Sequence, residues 1–77
     1  MPTIFRDGPY RFYFFSHEPN EPPHIHVDRE ANSLKVWLAP VTLARNHGFR
    51  GHEINAILGV VELNRALLLE AWHEYFG

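Results

Sequence analysis

Glu21-Pro22-Pro23-His24-Ile25-His26-Val27-Asp28 is the stretch that decides how this chain reads. Two prolines stiffen the approach, because each fixes its own φ and restricts the residue before it. From His24 onward polar and apolar residues alternate, and side chains in a strand alternate faces with a period of two. Ile25 and Val27 therefore point into a core, while His24, His26 and Asp28 share the opposite face. Two imidazoles and a carboxylate on a stiff strand form the one constellation in the chain that looks arranged for chemistry.

On the N-terminal side, Thr3-Ile4-Phe5 is β-prone and leads into Arg6-Asp7-Gly8-Pro9, a turn signal centred on Asp-Gly. Tyr10-Arg11-Phe12-Tyr13-Phe14-Phe15-Ser16 is aromatic at almost every position, which predicts a strand covered on both faces or placed mid-sheet. Residues 3–16 thus read as a hairpin, and the loop from His17 to Pro23 holds three of the six prolines. On the C-terminal side, Glu30-Ala31-Asn32 makes a turn before the strand Ser33 to Ala39. Leu34, Val36 and Leu38 fall on one face of that strand, with Lys35 and Trp37 on the other. Pro40 ends the strand or marks a bulge. Val41 to Arg45 has the composition of a last short strand, and Asn46-His47-Gly48 that of a turn.

From about Gly51 the period changes to 3.6. Ile54, Ile57, Leu58, Val61, Leu68, Ala71, Trp72 and Phe76 form one broad helical stripe, widened by Leu63 and Leu67. Glu53 in the first turn suits the helix dipole, and Gly59 is the expected site of a kink or close contact. An unbroken helix over 51–75 would be about 37 Å long. A domain of this size has a radius of gyration of about 11–12 Å and a diameter near ~30 Å. The helix must overhang the sheet or break at Gly59. An overhang would expose Leu67, Leu68, Leu69, Trp72 and Phe76 and invite a partner. Asn64, within this apolar surface, reads either as a hydrogen-bonding register residue or as a solvated one.

Seventy-seven residues allow one domain spanning 1–77. The fold class is α+β: an antiparallel sheet of about four strands in two hairpins, then one long C-terminal helix packed on one face. An aromatic content of 14% supports a folded core. The absence of cysteine excludes disulfides, thiol catalysis and cysteine-based zinc sites, and fits a reducing compartment. A net charge of −2 sets no basic patch in view, which counts against a phosphate-backbone binder, although six histidines would reverse the sign near pH ~6. No helix-turn-helix pattern is present to suggest a repressor. Met1-Pro2-Thr3-Ile4-Phe5-Arg6 does not read as a signal peptide, and no apolar run reaches the roughly 20 residues of a membrane span. The expected setting is the cytoplasm, with no membrane partner.

Taken together, Pro2-Thr3-Ile4-Phe5, the aromatic strand Tyr10 to Phe15, Glu21-Pro22-Pro23-His24-Ile25-His26-Val27, the strand through Trp37, and Glu62-Leu63-Asn64 with Leu68 and Trp72 carry a resemblance over nearly the whole chain. The sequence resembles a family of small bacterial proteins catalogued as domain of unknown function 4160. The resemblance implies a genetic context rather than an activity: small gene pairs in the manner of toxin–antitoxin modules. It assigns no catalytic residues. The chain departs from the family at Phe49-Arg50-Gly51, where such proteins often carry a Ser-like helix cap, so the helix start is left open.

Three uses of the histidine pair stay open. His24 and His26, with His17 from the preceding loop, are candidate ligands for a divalent metal such as zinc. Asp28 is a poor direct ligand, because i to i+4 along a strand spans about 13 Å. As candidate catalytic residues, His24 and His26 can divide acid and base roles in RNA cleavage, with Arg29, Arg45 or Arg50 holding the phosphate. Or the two imidazoles support the fold through hydrogen bonds to backbone. The leading functional expectation is a partner-binding protein of a toxin–antitoxin-like pair, acting as a homodimer or with a small cognate protein through Leu68, Trp72 and Phe76. The alternative is a metal-dependent or histidine-based nuclease-type toxin, and only that reading brings in a nucleic acid. Whether the chain is an enzyme is not decided by its sequence.

Overall fold

In a computed structural model, which describes residues 3–14 and 20–76, five strands precede two helices. The strands are β1 (Thr3–Asp7), β2 (Tyr10–Tyr13), β3 (His24–Arg29), β4 (Asn32–Leu38) and β5 (Val41–His47). They form one antiparallel sheet in the order β1-β2-β3-β4-β5, so every strand lies beside its neighbour in sequence. The helices are α1 (Gly51–Leu63) and α2 (Arg65–Phe76). The α+β class stands, with two corrections: five strands where about four were expected, and two helices where one was expected.

The fifth strand follows from a tight turn. Ala39 and Pro40, joined by a cis peptide, bring Leu38 opposite Val41, and pairing runs back as far as Ser33 opposite His47. The helix breaks at Asn64, not Gly59. Asn64 leaves helical geometry (φ −105°, ψ 13°) and its Nδ2 donates to the Val60 carbonyl at 2.8 Å. That side-chain bond competes with continued helix, and the Asn64 carbonyl then accepts the first bond of α2, from the Leu68 N–H at 2.9 Å. Arg65 pins the new direction: its Nε donates to the Leu38 carbonyl at 2.8 Å. Gly59 lies inside α1 with open space around it. Because of the break, the expected apolar overhang does not form. Leu68 and Trp72 turn back onto the sheet, and the molecule has a radius of gyration of 11.4 Å and a longest extent of 33 Å.

Strand register assigns the faces. Phe12, Val27 and Leu34 lie in one cross-strand row and Ile25 and Val36 in the next. These residues, with Phe14 and Leu38, meet Ile57 and Val61 of α1 and Leu68 and Trp72 of α2 in the core. Ile54 and Leu58, on the predicted apolar stripe, are partly buried against it. Phe5 of the edge strand stacks on Phe12 at 4.4 Å between ring centroids. The dense aromatic strand β2 is thus internal to the sheet, as its composition predicts.

Helix α1 starts without a side-chain cap at Arg50. Asn46 organises the approach instead: its Nδ2 donates to the Phe49 carbonyl at 3.0 Å and its Oδ1 accepts from the Phe49 N–H at 3.1 Å. Gly48 takes φ +99°, a left-handed conformation that favours glycine, and a Cβ there would lie 2.2 Å from Asn32 Oδ1 and push that side chain aside.

Glu53, in the first turn of α1, accepts from the Tyr10 hydroxyl at 3.1 Å and pairs with Arg29 Nη2 at 3.0 Å, tying β2 and β3 to the helix. Burial, then the hydrogen bond to Glu53 and the charge of that carboxylate, raise the Tyr10 pKa above its ordinary value. A raised phenol pKa means the folded state holds its proton to higher pH than the unfolded chain. The stability this proton confers is complete below pH ~10 and is lost as pH rises through the folded value. Urea unfolding across this range should show stability falling above pH ~10, with the fall reduced in Tyr10→Phe. An identical pH profile in the variant would remove Tyr10 from that account.

Candidate functional site

The face of the sheet opposite Ile25 and Val27 carries the histidines, as the alternation predicts, and Trp72 of α2 reaches His24 at its end. Its central row crosses four strands: Tyr13 opposite His26, His26 opposite Lys35, and Lys35 opposite Arg45. At the ~4.8 Å spacing of neighbouring strands, that row covers about 14 Å. A second row holds Arg11, Asp28, Ser33 and His47, and a third His24, Trp37 and Thr42.

Arg45 reaches this face because of a bulge. Val36 pairs with Leu43 but Lys35 pairs with Arg45, which leaves Ala44 as the extra residue. Strict alternation from Val41 would have placed Arg45 on the core side. One inserted residue reverses the parity, the re-aiming that β-bulges produce.

The sequence leaves open whether this face is covered; in the structure it is covered at both histidines. His24 is fully buried and His26 is 4% exposed. The His24 ring lies 4.8 Å from Trp72, 5.6 Å from Trp37 and 5.1 Å from His26, measured between centroids. Its Nδ1 sits 2.9 Å from the Pro22 carbonyl, which fits a protonated Nδ1 donating to that oxygen. The Pro-Pro segment is itself tied to the sheet, since the Leu38 N–H donates to the Pro23 carbonyl at 3.0 Å. These contacts give His24 a folding role. His26 stacks on Tyr13 at 5.4 Å, and the Tyr13 hydroxyl donates to Asp28 at 3.0 Å.

Beside His26 a pocket of about 140 Å³ opens, lined by Tyr13, His26, Ser33, Leu34, Lys35 and Arg45. Lys35 Nζ forms an ion pair with Glu21 and lies 4.8 Å from the Trp37 ring centroid. The Arg11 guanidinium lies over the Tyr13 ring at 4.5 Å. The pocket holds cations, hydroxyls and an imidazole, and no carboxylate lines it among the described residues.

As a metal set, His24 and His26 are close enough to share an ion, but His17 lies outside the described residues. Among the described residues no group of three or more metal-ligating side chains converges. Asp28 is turned to Tyr13, in line with its poor reach along the strand. Of the expected partner-facing residues, Leu68 and Trp72 are interior and Phe76 is packed against the core. Among the described residues, the exposed large apolar ones are Leu43, Leu63, Leu67 and Tyr75. Arg29 pairs with Glu53 and Arg50 precedes α1, so of the three arginines considered for a phosphate only Arg45 lines the pocket beside His26. Sequence reasoning missed Tyr13, Ser33 and Lys35 as its neighbours, because only register brings them together.

Fold and site together define a small α+β domain in which a five-strand meander packs against two helices and carries a row of Tyr13, His26, Lys35 and Arg45 on its other face. The chain belongs to the family described as domain of unknown function (DUF4160), which it matches over residues 10–73. No curated protein and no solved structure matches it. Among the described residues, no helix is long and apolar enough to cross a membrane.

Proposed function

We propose that this is a partner-binding protein of a toxin–antitoxin-like pair, acting in the cytoplasm through contact with a small cognate protein. The observation that carries the reading is the apolar surface at the junction of the helices. Leu63 is 88% exposed and Leu67, four residues on, is 55% exposed. One exposed leucine is ordinary, whereas two flanking a helix break offer a protruding contact. Burying each against a partner would contribute about 1.5–3 kcal/mol of transfer free energy.

The test is a Leu63→Glu, Leu67→Glu double variant, compared with the parent by light scattering and by co-purification with the product of the neighbouring gene. Both side chains are exposed, so the melt should hold while complex formation weakens by at least about tenfold. Self-association lost in the variant would assign the surface to a homodimer instead. A parent protein that stays monomeric and ignores its gene neighbour would sink the proposal.

A second reading, a metal-dependent or histidine-based nuclease-type toxin, has the pocket beside His26 in its favour. In that reading His26 is the residue placed to act, with Arg45 and Lys35 able to hold a phosphate. His24 contributes through packing.

A further inference from the structure

We infer that the pocket on the histidine face is a binding site for a phosphate group, with Arg45 as its principal anchor. The inference stands apart from the partner-binding reading and needs no catalytic step.

Three observations and one chemical rule lead to it. The pocket volume of about 140 Å³ is roughly ten times the ~10–15 Å³ that a single water needs, so it has room for more than one solvent molecule. Its lining supplies donors from three strands: the Arg45 guanidinium of β5, the Lys35 ammonium and Ser33 hydroxyl of β4, and the imidazole of His26 of β3. A tetrahedral oxyanion accepts from several directions at once, and Arg and Lys are its usual side-chain partners. Finally, the bulge at Ala44 is what turns Arg45 onto this face, and without it β5 would present a short alanine side chain there.

Among the described residues, the nearby carboxylates are already engaged. Asp28 accepts from the Tyr13 hydroxyl at 3.0 and 3.1 Å, so Tyr13 lends the pocket its ring rather than its proton. Glu21 pairs with Lys35, so the ammonium lends the pocket its charge while Arg45 supplies the open donors. Arg45 has no hydrogen-bond or ion-pair partner among the described residues and is exposed. It keeps its full fork of donors for a ligand.

The chain's net charge of −2 argues against a long phosphate backbone as the ligand, since that would need an extended basic surface. A compact phosphate, free or carried on a mononucleotide, fits the local charge.

The experiment is a titration of isotope-labelled full-length protein with inorganic phosphate, followed by amide and arginine side-chain chemical shifts, at constant ionic strength set with chloride. Saturable shifts at Ser33, Lys35 and Arg45 are expected. Arg45→Ala should weaken binding at least about tenfold while leaving the melt in place, and Arg50→Ala should leave binding unchanged. A parallel titration with adenosine monophosphate separates the sources. Tighter binding of the nucleotide assigns the site to a phosphate carried on a nucleoside, and equal binding assigns it to the free anion. Shifts that never saturate, that spread over all basic residues, or that persist in Arg45→Ala would overturn the inference.

Discussion

Trp72→Ala is expected to lower the unfolding free energy by about 3–5 kcal/mol, the range for removing a buried large aromatic side chain. Trp72 is 5% exposed and touches three other rings: Phe76 at 4.2 Å, His24 at 4.8 Å and Phe14 at 5.3 Å between centroids. No single neighbour can fill the space it leaves, because each belongs to a different element or turn. In a domain this small, ~1 kcal/mol moves the melting temperature by about 4–8 °C, so the midpoint should fall by at least roughly 12 °C. Thermal melts and urea unfolding of parent and variant would check this. An unchanged midpoint would mean that α2 does not seat its indole against the sheet.

His24→Ala should cost about 2–4 kcal/mol, although the residue is polar. Its ring fills space between Trp37 and Trp72, and the Pro22 carbonyl loses its partner when the imidazole is removed. A residue serving only as acid or base would leave the melt intact on removal; His24 should not. Loss of any RNA cleavage in His24→Ala therefore has to be read beside its unfolding curve. The informative comparison is Arg45→Ala, which should keep the parental melt. If His24→Ala proves as stable as the parent, the packing role assigned to His24 is wrong; if Arg45→Ala leaves cleavage intact, Arg45 does not hold the scissile phosphate.

The second effect arises where sequence reading stopped short. The alternation at 24–28 correctly separated Ile25 and Val27 from His24, His26 and Asp28, because strand geometry alone sets that parity. Alternation says nothing of what covers the second face. His24 is buried by Trp37 across the ladder and Trp72 from the far end of the chain. Neither contact is local.

The helix break was hidden for a similar reason. Gly59 has the weaker helix propensity and drew the expectation, yet a lone glycine in open surroundings is tolerated within α1. Asn64 ends the helix because its amide reaches Val60 and its neighbour Arg65 finds Leu38, and the second contact exists only once the sheet is formed. The pocket shows the same limit. Lys35 and Arg45 are ten positions apart, and a simple hairpin turning at Ala39-Pro40 would have opposed Lys35 to Ala44. A bulge leaves no mark in composition, and it decides which residue completes the site.

The strictly sequential order of the sheet bears on how the chain is made. Each strand pairs with the next in sequence, across no more than ten intervening residues, so residues 3–47 contain every pairing the sheet requires before any helix has been synthesised. The apolar lid comes last. While a ribosome is still making α1 and α2, Phe12, Ile25, Val27, Leu34 and Val36 belong to a nascent sheet with one side uncovered. At roughly 5–20 residues per second, that interval lasts a few seconds. Its length is set by the distance in sequence between β5 and Trp72. Within that window the emerging chain is most open to chaperones, to aggregation, and to pairing with another chain.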